Sequence, residues 1–234
     1  MVSSKAMDSL RRAAGGFRLI KLTAAALGVT LIATVGFGLL ARDRGAMALI
    51  NWVRVLAPSA LLILAALYSA GLVGVARGVP PGSGARLPAW LAFVFSLPQL
   101  AGRGVSLWFQ LYLILAHNIV HAGDKDRIAW IMFKTGDICT LVSLLLFLWT
   151  GRHLTLFLGE TVLARKALMA AAALALLGSA VIYALGWEIP DDTSRFYLQL
   201  FFVSCMGFGL LIIAGIGARA FERAIDREIR DFRD

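Results

Sequence analysis

Apolar positions in this chain gather into long uninterrupted blocks and do not alternate with polar ones. The clearest blocks are residues 22–41, 50–76, 128–150, 167–187 and 196–217. Each is close to the roughly 20 residues that a helix rising about 1.5 Å per residue needs to cross about 30 Å of hydrocarbon. The pattern therefore predicts transmembrane helices joined by short polar connections, with no room for a soluble catalytic domain. The PPGSG turn at 80–84 is the one Pro/Gly-rich connection.

A sixth apolar stretch, 88–121, is too long for one upright span and too short for two spans and a turn. Proline removes a backbone donor and glycine weakens a helix interior, so Pro98 and the Gly102-Arg103-Gly104 cluster predict a break. The expectation is a short broken or interfacial helix at 88–101, then a span at 104–121. The fold class expected is an all-α polytopic bundle of about six spans. A basic tail (1–21) precedes the bundle (22–217), and an amphipathic helix (218–234) follows it.

Composition agrees with this reading. The chain is 59% apolar and only 16% charged, with a mean hydropathy of +0.79, against about 25% charged residues in an ordinary globular domain. The basic leader before residue 22 is also how a signal peptide begins. A signal peptide's apolar region, however, is only about 7–15 residues and ends at a small-residue cleavage site, so 22–41 reads as an uncleaved first span.

The net charge of +9 is explained by topology. With the first end inside, segments on that side carry 15 Lys or Arg and the opposite segments carry 5 (Arg42, Arg44, Lys125, Arg127 and Arg195). This bias predicts both termini in the cytoplasm, and the Ala, Gly and Arg richness suits a bacterial inner membrane. The basic residues form no compact patch interleaved with aromatics, which argues against nucleic-acid binding. Cys139 and Cys205 lie inside apolar blocks and form no CxxC motif.

Three basic residues, Arg54, Arg103 and Lys134, and one acid, Asp137, fall inside apolar segments. An ionised group there costs several kcal/mol unless it pairs, snorkels or meets water, so each is a candidate for a ligand or ion pathway. Lys134 and Asp137 stand three apart on one helix and can pair with each other. Asp137 can equally face Arg54 or Arg103 across the bundle. Arg54 sits where its stem can bury while its head reaches the interface. Arg103, at the expected break, suits either a polar cavity or a lipid phosphate.

His117 and His121 (HNIVH) are four apart on one helix face, a geometry open to two metal ligands or a haem ligand. No third ligand completes the set, and the cofactor is left open. Glycines at 207, 209, 215 and 217, and the GVARG run at 74–78, permit close helix contacts within the chain, with a second copy or with a partner. Phe221, Ile225, Ile229 and Phe232 make an apolar stripe on a C-terminal helix of balanced charge. Such a stripe suits docking to a helix, in this chain or in a partner.

Intramembrane serine-protease (GxSxG), metal-box and nucleotide-loop motifs do not occur in the sequence. The leading functional expectation is a non-catalytic subunit, assembly factor or sensor acting through helix contacts. The alternatives are a small transporter or channel passing Arg103, Lys134 and Asp137, and a membrane enzyme or haem or metal protein using His117 and His121.

Overall fold

Among the described residues the apolar blocks and their flanks fold into six helices: α1 (Ser4–Arg44), α2 (Met47–Gly78), α3 (Arg86–Leu115), α4 (Gly123–Phe157), α5 (Thr161–Leu185) and α6 (Asp192–Asp231). In this computed structural model residues 4–44, 47–115, 123–185 and 192–231 are described, and no strand occurs among them. Stretches Ala6–Thr34, Val55–Gly78, Ile138–Phe157 and Thr161–Ser179 are long and apolar enough to cross a membrane. Less than half of each is buried inside the bundle. Outward positions such as Val29, Ile63 and Leu176 have lipid as their natural solvent, and the chain is a membrane protein.

Two expectations about boundaries change. The basic leader is not a separate tail, because α1 already begins at Ser4. The predicted break in the third apolar region does not occur either: α3 is one helix of 30 residues that passes through Pro98 and Gly102-Arg103-Gly104. Proline frees carbonyls one turn back, and in a helix packed against neighbours serine hydroxyls can serve them. The carbonyl that Pro98 leaves without its helical donor is that of Val94, and Ser96 donates one position earlier, to Phe93 O at 2.7 Å. The expected continuation of the last span into the C-terminal helix is found, since α6 runs unbroken to Asp231.

Sequence neighbours pack antiparallel. Gly16 sits so close to α2 that a Cβ on it would fall 2.5 Å from Val75 N, and one on Gly78 would fall 2.1 Å from Ala13 N. The GVARG glycines are therefore spent inside the chain, on α1. Along α3 and α4, Ser143 reaches Ala92 O and Gly136 faces Gln99. Helix α6 returns beside α1 and α4, while α5 packs on α4 and α6. As a result the start of α1 and the end of α6 lie at one end of the bundle, called here the near end.

Three phenylalanines mark the centre of that end. Phe17 of α1, Phe147 of α4 and Phe221 of α6 are at most 1% exposed, with ring centroids 5.4 to 6.0 Å apart in tilted or edge-on pairs. Around them pack Leu10, Val75, Leu148 and Ile225. Gly151 makes room for the Phe221 ring: a Cβ there would be 2.1 Å from two of its carbons.

The near-end turn after α4 is a Schellman cap. Glu160 N donates to Thr155 O at 2.8 Å and Gly159 N to Leu156 O at 3.1 Å, while Gly159 takes φ +78°. That backbone region favours glycine, which is why the helix stops there.

Candidate functional site

Among the described residues in the apolar part of the bundle, polar side chains are mostly hydroxyls, and a hydroxyl in a medium without water must find a protein acceptor. Thr23, Ser59, Thr140 and Thr150 each bond the carbonyl four residues back on their own helix. A second set crosses between helices. Ser69 of α2 and Ser96 of α3 are buried with oxygens 2.8 Å apart. Tyr68 of α2 meets Ser143 of α4 at 3.2 Å, and Ser143 donates to Ala92 O of α3 at 2.7 Å. These four residues tie α2, α3 and α4 into one polar layer.

Beside that layer, Gln99 Oε1 is buried with no hydrogen-bond partner among the described residues. It belongs to the residue after Pro98, where α3 lies against Gly136 of α4. The antiparallel register carries Asp137 and Lys134 of α4 past this stretch of α3, one turn from the partly buried Arg103. Arg54 of α2 does not join them: with Ser69 opposite Ser96, it falls about 12 Å further along the bundle axis from the level of Arg103. His117, His121 and Phe232 lie outside the described residues, as do the side chains of Arg54, Lys134 and Asp137.

The C-terminal stripe faces the chain's own core. Phe221 and Ile225 are 1% and 0% exposed, and Ile229 packs against the same cluster. Next to the stripe stands Glu222, buried on α6, and the first helix answers it with two cations. Arg18 Nε donates to Oε1 at 2.8 Å and Lys21 Nζ donates to Oε2 at 2.5 Å. Glu222 lies beyond the last apolar block of α6. Burial pushes its carboxyl up, but the hydrogen bonds from Lys21 and Arg18 and their charges outweigh this, and the net direction is below the ordinary value. A further ion pair, Arg227 with Glu160 at 3.0 Å, fastens α6 to the α4–α5 turn.

Sequence reasoning counted Arg18 and Lys21 among the topology charges and Glu222 among the acids that balance the last helix, and missed their convergence. The one local signal was an acid adjacent to an apolar stripe, at the depth where a basic first helix returns. Ser69, Ser96, Ser143 and Tyr68 were missed because single hydroxyls inside apolar runs carry no periodic signature.

These features define an integral membrane protein of the helical-bundle class, with a packed, ion-paired end where its first and last helices meet. The chain matches no family model, no curated protein and no solved structure.

Proposed function

We propose that the chain is a non-catalytic membrane protein, a subunit, assembly factor or sensor that acts through helix contacts. It sits in a bacterial inner membrane with both ends in the cytoplasm. The observation that carries the reading is the near end itself. There Glu222 and the Phe17–Phe147–Phe221 cluster hold α6 rigidly against α1, while Arg219, Arg223 and Arg230 remain exposed on its outer face. The apolar stripe is used internally, so a partner would meet this charged outer face. The proposed orientation is supported by the same end, which gathers Arg11, Arg12, Arg77, Arg86, Arg165 and Lys166 on exposed positions.

Photo-crosslinkers placed at Arg219 and Asp226, on the same face of α6 as Arg223 and Arg230, test the proposal in native membranes. One discrete adduct, another protein or a second copy, is expected, and it should vanish in Arg223→Glu/Arg230→Glu while the thermal midpoint stays unchanged. Absence of any adduct from either position contradicts the reading.

A second reading, a small transporter or channel, is favoured by the buried Gln99 oxygen, which has no partner among the described residues, on the backbone register shared with Arg103, Lys134 and Asp137. Liposome flux that is unchanged by Asp137→Asn and Arg103→Gln removes it.

A further inference from the structure

The charges of the near end are unevenly shared. On the α1–α6 side acids accompany the cations: Glu222 is held by Arg18 and Lys21, and Arg227 reaches across to Glu160 of the α4–α5 turn. On the α3–α5 side Arg86, Arg152, Arg165 and Lys166 have no ion pair with any described acid. Within this cationic rim α4 builds a distinct surface. Trp149, Arg152 and His153 share one helix face at spacings of three and four.

Trp149 is 41% exposed, and the Arg152 guanidinium carbon lies 4.8 Å above its ring. The His153 ring meets the same indole edge-on at 5.6 Å. The turn before α3 seats that imidazole: Gly84 has φ +68°, and a Cβ on it would stand 3.3 Å from His153 Nδ1.

Arg152 and His153 lie in the last third of the span Ile138–Phe157, toward its head-group end, and Trp149 lies one turn deeper on the same face. An exposed indole is suited to that boundary, where its ring body meets acyl chain and its N–H meets water. Stacking occupies the flat face of a guanidinium and leaves its N–H edge free for a bidentate phosphate contact. We propose that Trp149, Arg152 and His153 form a binding site for the head group of an anionic phospholipid. The Arg152 edge holds the phosphodiester, and the upper part of the lipid's acyl chains lies along Trp149.

Native mass spectrometry of the full purified chain tests this, with phosphatidylglycerol and phosphatidylcholine titrated in parallel. The wild type is expected to retain phosphatidylglycerol adducts several-fold more than phosphatidylcholine. Arg152→Gln and Trp149→Leu should each bring the two lipids to parity, and Arg152→Lys should fall between because it keeps the charge but not the fork. Arg223→Gln, on the opposite side, should leave the preference intact. Undiminished preference in both Arg152→Gln and Trp149→Leu overturns the site. Displacement of the lipid by millimolar inorganic phosphate also overturns it, since that would mark a free-anion site.

Discussion

Phe221 and Gly151 form a pair in which one residue's volume depends on the other's lack of it. Truncating Phe221 to alanine removes a ring that is 1% exposed and in contact with both Phe17 and Phe147. Emptying such a site costs about 3–5 kcal/mol, and the aromatic pairing adds about 0.5–1.5 kcal/mol per lost pair to what area alone predicts. Gly151→Ala acts in the opposite sense. Its new carbon would be 2.1 Å from the Phe221 ring, and forcing the ring aside costs about 1–3 kcal/mol. In the double variant the alanine at 151 enters space the missing ring has vacated, so the overpacking cost disappears. The combined loss should then be smaller than the two single losses added, by about 1–3 kcal/mol. Equilibrium unfolding in mixed detergent micelles measures all four corners of the cycle. Strict additivity, or a Gly151→Ala variant as stable as wild type, would refute the packing described for this end.

Other outcomes follow from the same geometry. Gly78→Val should separate α1 from α2 and lower stability by more than about 2 kcal/mol, because its side chain meets the Ala13 backbone and no movable side chain; thermal unfolding in detergent checks it. Gly159→Ala should cost about 1–2 kcal/mol in the same assay, the penalty of an L side chain at φ +78°. Glu222 governs acid sensitivity. Its carboxyl binds a proton less readily folded than unfolded, so its stabilisation is complete above the ordinary carboxylate pKa of about 4.3 and is lost as pH falls below that value. The wild-type midpoint should consequently drop more steeply between pH 5 and pH 3, on the order of the carboxylate range, than that of Glu222→Gln. Gln99→Leu should be neutral or raise stability by up to about 1–3 kcal/mol in detergent if the orphan oxygen is merely a desolvated acceptor; a large loss of both stability and liposome flux would show that the oxygen holds something.

The helices were legible in the sequence because apolar blocks of span length have few other solutions, and the continuity of α6 into 218–231 was legible from the stripe Phe221, Ile225, Ile229. The continuity of α3 was not. Propensity rules written for water treat Pro98 as a stop, whereas α3 here packs closely on α4, with Gly136 against Pro98 and Gln99. The candidate site was legible only as a set of charged residues at membrane depth. Which of them share a level depends on helix register, and register is set by contacts such as Ser69 with Ser96 and Gly16 with Val75. Those contacts join residues far apart in the chain, so no local pattern announces them. The Glu222 cluster illustrates the point: its partners lie 204 and 201 residues away.

The central claim is that the first and last helices meet as a packed pair on one side of the membrane. Cysteine labelling in sealed inverted vesicles tests it most directly, with Cys139 and Cys205 replaced by serine and single cysteines placed at Asp8 and Arg230. Both positions should react with an impermeant maleimide at the same rate before the membrane is opened. Reaction at one position and protection of the other until detergent is added would contradict the fold and the topology together.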